Sequence, residues 1–362
     1  MHVGIVIYED LNRQSGGFLY DRKVVDFLRS AGHRVTVFAQ PERRYLLRGL
    51  DNLDISFWRQ CARSSLDVLI QDELNHASLV GGNRWLRSRV SYPIVSITHH
   101  LRSSETHPRL WARVYEWIEQ RYLETVDAFV FNSKATRRAV GELVSPSPSV
   151  VARPSGRRFG PALSRERIEN RAHQPGPLRI LFVGNVIPRK NLHVLVEGLA
   201  QVDVDAWCLH VVGDDTVDET YTQKVHRTVD RHAVSDAVQF SGSVSDGDLQ
   251  TLLQQSHLLA VPSTYEGYGI VYVEGMGHGL PAIATPHGGP VDVVDDGVTG
   301  FLVDDPIPDA IARHVRMLAN DRDQLAAMGR AARRAYVASP TWEDTGRAVA
   351  TFLEQLTSNE LS

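Results

Sequence analysis

The chain has 362 residues, 43% of them hydrophobic and 23% charged, which is the composition of an ordinary globular protein with room for two domains. Its two cysteines, Cys61 and Cys208, are far apart and in no metal-ligand spacing, which excludes a disulfide scaffold and reads as reduced thiols in a cytoplasmic protein. The net charge of −4 hides an asymmetry, because residues 1–171 carry 26 Lys+Arg against 18 Asp+Glu and the remainder is acidic. A basic half suggests an anionic partner, with solvated surface arginines as the plainer reading. No apolar run approaches the roughly 18 residues of a membrane span. The opening MHVGIVIYED reads as a strand and not as a signal peptide.

HVGIVIY is a short apolar run of the kind a buried parallel strand requires. The loop EDLNRQSGG ends in Gly16 and Gly17, where backbone can approach a phosphate or sugar closely, although the full dinucleotide-binding glycine pattern is absent. FLYDRKVVDFLRSAG has helical spacing, with Phe18, Val24, Val25, Phe27 and Leu28 on one face, and HRVTVFA is the next strand. Strand, glycine loop, helix and strand open a doubly wound α/β domain. LDVLIQDE repeats the theme, and YPIVSIT ends a strand just before His99 and His100. Residues at the carboxyl end of a parallel strand lie on the ligand side of such a sheet, so His99 and then His100 are candidate site residues. The following helix, HPRLWARVYEWIEQRYLETV, predicts a buried stripe of Leu110, Val114, Trp117, Ile118 and Tyr122. Arg102, Arg109, Arg113 and Arg121 in or before it would suit a wet face or a surface touching anionic headgroups. DAFVFNS is a further strand and KATRRAVGEL a short basic helix. Residues 144–178, rich in Pro, Ser and Arg, read as an interdomain connection with one helical piece, SRERIENRA.

LRILFVGNVIPRKNLHVLVEGLAQV is strand, polar loop and helix, with Asn185, Arg189 and Lys190 at the top of the strand. A cation pair beside a helix start suits a pyrophosphate. WCLHVV and VQFSGSV are further strands, and Ser245 or Asp246 caps the helix DGDLQTLLQQ. The strand HLLAVPS then leads into PSTYEGYGIVYVEGMGHGLP, where Glu266 and Glu274 stand eight positions apart. A helix starting near Tyr268 or Gly269 leaves the N–H groups of Gly269, Ile270 and Val271 free for a phosphate. Two carboxylates can accept hydroxyl hydrogen bonds on either side of it. A ligand with a central phosphate and hydroxyls at both ends is a nucleotide sugar. TWEDTGRAVATFLEQL closes the chain as an amphipathic helix.

The second half resembles the donor domain of retaining GT-B glycosyltransferases, specifically glycosyltransferase family 4. The resemblance rests on FVGNVIPRKNL, VVGDD, the stretch FSGSVSDGDLQTLLQQSHLLAVPSTYEGYGIVYVEGMGHGLPAIAT, and GGPVDVVDDGVTGFLV, in the family's order over most of residues 178–303. The first half is similar more loosely, through Gly16–Gly17, His99 and DAFVFNSKAT. The resemblance implies two doubly wound, Rossmann-like α/β domains facing each other across a cleft. They would span residues 1–170 on the acceptor side and 171–340 on the donor side, with helix 341–358 packing back on the first. It implies that Glu266 binds donor-sugar hydroxyls, that Glu274 binds the ribose, and that Tyr268, Gly269 and Ile270 amides hold sugar and distal phosphate. Lys190 matches the phosphate-binding lysine, while Asn185 stands where an arginine is common, leaving Arg189 to supply the missing charge. Gly242, Ser243 and Val244 would line the base pocket, Gly288 and Gly289 would lie near the pyrophosphate, and Gly16 and Gly17 would face the phosphates. His99 would act beside the sugar, with His100 and Arg102 as acceptor-side candidates.

The implied activity is metal-independent, retaining transfer of a hexose from a UDP- or GDP-sugar to a hydroxyl acceptor, lipid-linked or anionic. The implied location is cytoplasmic, with peripheral contact to an anionic membrane through the basic half and no nucleic-acid partner. No second carboxylate is placed opposite Glu266 as in paired-carboxylate hydrolases. The alternatives are a non-catalytic nucleotide-sugar-binding partner subunit and another GT-B enzyme, such as a nucleotide-sugar epimerase or a phosphorylase.

Overall fold

A computed structural model describes residues 1–9, 16–41, 43–145, 148–160, 162–304 and 308–358. Most of the loop before Gly16 therefore lies outside the described residues. The chain forms two compact units, Met1–Pro154 with Pro340–Ser362, and Ser155–Ser339.

The first unit holds strands β1 (His2–Tyr8), β2 (Arg34–Gln40), β3 (Val68–Asp72), β4 (Ile94–Thr98), β5 (Ala128–Phe131) and β6 (Ser149–Val151). They pair in parallel in the order β2-β1-β3-β4-β5-β6. Helices α1 (Gly16–Ser30), α2 (Ile55–Arg63), α3 (His76–Arg87), α4 (Arg109–Leu123) and α5 (Lys134–Gly141) connect them, with a 3₁₀ segment at Tyr45–Leu53. Every residue of β3, β4 and β5 is buried, including the polar Gln71, Asp72, Ser96 and Thr98, as in a parallel sheet covered on both faces.

The second unit holds α6 (Arg165–Ala172), β7 (Leu178–Val183), α7 (Leu192–Leu199), β8 (Trp207–Val212), α8 (Glu219–Arg231), β9 (Val238–Phe240), α9 (Asp246–Gln255), β10 (Leu258–Ala260), α10 (Ile270–Gly277), β11 (Ala282–Ala284), β12 (Gly300–Leu302), α11 (Pro308–Asn320) and α12 (Arg322–Ala338). Its sheet is also parallel, ordered β12-β11-β10-β7-β8-β9. In each sheet the direction of winding reverses once, between β1 and β3 and between β7 and β10. Ligands of open α/β sheets bind outside the carboxyl ends of the strands at that reversal.

Two expectations are corrected. The boundary falls after Pro154, not residue 170. Ile168 of α6 is buried, and the Arg171 guanidinium donates to the carbonyls of Gln254 (3.1 Å) and Gly279 (2.9 Å), which ties this piece to the second unit. The stripe on α4 is not buried as a whole, because Leu110 is 73% and Trp117 60% exposed. The helix is anchored instead by Glu119, Tyr122 and Leu123. Tyr122 Oη donates to Ser96 Oγ at 3.1 Å, and Glu119 accepts the backbone N–H groups of Arg102 (2.5 Å) and Ser103 (3.2 Å).

The last helix, α13 (Trp342–Thr357), lies in the first unit and opens on a Thr341/Asp344 capping box. Its Val349, Phe352 and Leu353 share a core cluster with Val24 and Leu28 of α1. Leu353→Ala should cost about 2–5 kcal/mol by urea unfolding, the usual result of a cavity at a fully buried leucine. A loss below about 1 kcal/mol would contradict the packing of α13 on α1.

Candidate active site

The loops after β7 and β10 meet at the reversal point of the second sheet. The first carries Arg189 and Lys190 in a 3₁₀ turn, and the second carries Ser263 and Glu266. Lys190 Nζ lies 2.5 Å from Glu266 Oε1, Ser263 Oγ donates to the same oxygen at 2.7 Å, and Arg189 Nη1 is 3.2 Å away. Arg189 Nη1 also donates to the Tyr265 carbonyl at 2.8 Å, and the Arg189 carbonyl accepts the Thr264 N–H at 2.8 Å. Burial works against the Glu266 charge, but Lys190 and then Arg189 outweigh it and hold the carboxyl down at about 2. Burial dominates at Lys190, where it lowers the pKa in spite of the Glu266 carboxylate. All three partners converge on Oε1, so Oε2 carries none of these contacts.

Glu266 is held from the other side by the turn before Pro290. Its N–H donates to the His287 carbonyl (3.2 Å), and its own carbonyl accepts the Gly289 N–H (2.7 Å). A Cβ on Gly288 would lie 2.0 Å from the Glu266 carbonyl oxygen, at φ +87°, so only glycine fits there. Helix α10 begins directly beyond, with Gly269 as its cap at φ 87°, ψ 54°. Among the described residues, the N–H groups of Gly269, Ile270 and Val271 have no hydrogen-bond acceptor. Four residues into α10, Glu274 is buried, with Arg158 Nη1 at 3.9 Å. Burial pushes its carboxyl up to about 7, Arg158 opposes this, and Asp246 adds to it.

In the first unit, Gly17 and His99 come together: a Cβ on Gly17 would lie 3.3 Å from His99 Cδ2. His99 is buried, with Nε2 at 3.1 Å from Asp21 Oδ1 and 3.8 Å from Asp72 Oδ1. Its carbonyl accepts Asn132 Nδ2 at 2.8 Å. Burial alone would lower the His99 pKa, but Asp21 and Asp72 raise it to about 9. Burial and Asp21 in turn push Asp72 upward.

In the second unit Lys190 and Arg189 meet Glu266; Gly288 and Gly289 pack against Glu266 and Tyr268; Gly269 and Ile270 follow at the start of α10, and Glu274 lies one turn further on. Asn185 is exposed on the loop after β7, and Gly242, Ser243 and Val244 follow β9 at the same edge, where a Gly242 side chain would meet open space. Gly16, Gly17, His99, His100 and Arg102 belong to the first unit. His100 Nε2 contacts Glu105 Oε1 at 3.2 Å, and the Arg102 guanidinium lies over the rings of Tyr45 (4.8 Å) and Tyr115 (4.9 Å). Sequence reasoning missed Asp21, Ser263 and Arg158. Asp21 had a signal, a carboxylate on the apolar face of α1 between Phe18 and Val24.

Two wound parallel sheets in two units are the architecture of the GT-B fold. The structure superposes on sucrose-phosphate synthase from Thermosynechococcus elongatus with a TM-score of 0.83 over 99% of both chains, at 19% identity. Residues 164–335 match the family described as glycosyl transferases group 1. The chain is 30% identical over 299 residues to a D-inositol 3-phosphate glycosyltransferase of Kineococcus radiotolerans, covering 72% of this chain and 68% of that one. It is 29% identical over 268 residues to a GDP-mannose-dependent α-(1-6)-phosphatidylinositol monomannoside mannosyltransferase of Mycobacterium tuberculosis, covering 70% and 69%. The chain belongs to the glycosyl transferases group 1 family and is a glycosyltransferase.

A histidine whose pKa rises on folding contributes its stability in full below its unfolded value and loses it as pH climbs through the folded value. His99 therefore stabilises the first unit below about pH 6.5, and this contribution of about 3 kcal/mol fades as pH rises through about 9. Asp21→Asn should lower the His99 titration seen by proton NMR and remove most of that pH dependence in urea unfolding. A wild-type His99 titrating below its ordinary value would contradict the assignment.

Proposed function

We propose that the chain transfers a hexose from a UDP- or GDP-sugar to a hydroxyl acceptor with retention of anomeric configuration and without a metal ion. The observation that carries this reading is the Lys190–Glu266–Arg189 cluster beside the three acceptor-free N–H groups that open α10. An ammonium, a guanidinium and a helix N-terminus together suit the distal phosphate of a nucleoside diphosphate. Oε2 of Glu266 then accepts sugar hydroxyls, and Glu274 accepts those of the ribose.

The acceptor hydroxyl oxygen bonds to the anomeric carbon on the face the diphosphate leaves. The C1–O bond to the diphosphate breaks, and the hydroxyl proton passes to the departing phosphate oxygen. The products are the glycoside and the nucleoside diphosphate. Lys190 and the α10 amides stabilise the charge that grows on the leaving group, while Glu266 fixes the sugar. The GDP-mannose dependence and lipid acceptor in the name of the mycobacterial relative favour a guanosine donor and a lipid-linked acceptor. The described residues contain no helix long and apolar enough to cross a membrane, so such an acceptor would be met peripherally.

Thermal shift and nucleoside diphosphate release against UDP- and GDP-sugars test this reading. Glu266→Gln and Lys190→Ala should each lower kcat by about 10²–10³. Normal turnover in both, or turnover abolished by EDTA, would contradict it. Glu274, near neutrality when empty, should lose its proton when ribose hydroxyls donate to it. Nucleotide affinity should therefore rise as pH passes upward through about 7, and Glu274→Gln should flatten that dependence. Affinity that falls over this range would contradict the ribose role.

A further inference from the structure

The face of the first unit built by the 3₁₀ segment Tyr45–Leu53, α3 and α4 is apolar where water should meet it. Leu47, Leu50 and Leu53 of the 3₁₀ segment are 49%, 57% and 74% exposed, and Leu110 and Trp117 of α4 are 73% and 60% exposed. Leu110 and Trp117 are seven residues apart, two helical turns on one face. Between the three elements lies a cavity of about 570 Å³, walled by Tyr45, Val80, Trp117 and Ile118, with Arg84 and Arg121 also lining it. That volume lies within the roughly 300–1,000 Å³ of small-ligand pockets. Tyr45 Oη is already bonded to the buried His76 Nε2 at 2.8 Å, so its ring is what remains for the cavity.

The charges around this face are mostly cationic. Arg84, Arg109 and Arg113 are exposed and make no ion pair among the described residues. Arg121 pairs with Glu124 at 3.1 Å, with its guanidinium 5.8 Å from the Trp117 ring, and Glu116 is exposed on the same helix. Exposed leucines and tryptophan beside unpaired arginines fit a bilayer interface, where apolar side chains enter the acyl boundary and arginines meet phosphate.

We propose that this face docks the enzyme on an anionic phospholipid bilayer, with Leu50, Leu110 and Trp117 entering the interface and one acyl chain occupying the cavity. Arg84, Arg109 and Arg113 meet the headgroup phosphates. The docking deepens the lipid-acceptor reading and is tested apart from nucleotide binding.

The test is cosedimentation of the full chain with phosphatidylcholine vesicles, with and without phosphatidylglycerol. Vesicles with brominated acyl chains supply a second readout through tryptophan quenching. Wild type should bind the anionic vesicles on the order of 100-fold more tightly, as three arginines near an anionic surface supply. Leu110→Ser combined with Trp117→Ser should lose at least about tenfold of that binding and most of the quenching. Arg84→Glu with Arg113→Glu should remove the preference for anionic vesicles. Thermal shift by nucleotide should be unchanged in all of them, since a failed donor reading would show there while vesicle binding persisted. Wild type that ignores vesicles, variants that bind as wild type, or a dimer lost in the same variants without vesicle binding would each overturn the proposal.

Discussion

The buried contact between Lys190 and Glu266 is the constraint on which the site depends. It joins two loops that are 76 residues apart in sequence and that leave adjacent strands on either side of the sheet's reversal point. A buried carboxylate is costly unless paired, and here an ammonium, a guanidinium and a serine hydroxyl crowd one oxygen. The pair fixes the position of the loop that launches α10, and so aims the first N–H groups of that helix. The same cations that hold Glu266 are those a leaving diphosphate would draw on.

The first unit carries a second buried charge cluster of different character. His99 sits between two fully buried aspartates, with Gly17 giving its ring room. Among the described residues, Asp21 and Asp72 each leave one buried oxygen without a hydrogen-bond partner. The two aspartates favour the charged imidazole and hold His99 as a cation at the carboxyl end of β4, beside the end of β3. Removing His99 would leave the two buried aspartates with no cation between them, the costly arrangement for buried carboxyl groups.

Much of the second unit was legible because its chemistry is contiguous. Glu266, Gly269 and Glu274 fall within one short stretch, and strand–loop–helix order placed Lys190 at the matching strand end. Arg158 was not legible, because it lies in a Pro/Ser/Arg-rich segment whose composition is that of a linker. The segment is nevertheless built into the second unit, where it brings its guanidinium to Glu274. The stripe on α4 was read correctly as a pattern and wrongly as burial. Periodicity reports that a face is apolar and not what covers it. The buried Glu119 and its bonds to the Arg102 and Ser103 amides, which decide how α4 sits, have no signature in hydrophobic spacing.

The most direct test of the central claim is a crystal structure with an intact nucleoside diphosphate sugar. The account predicts the distal phosphate on the N–H groups of Gly269, Ile270 and Val271, with Lys190 Nζ turned to it from Glu266, and the ribose hydroxyls on Glu274. A nucleotide bound away from α10, with the Lys190–Glu266 pair undisturbed, would contradict it.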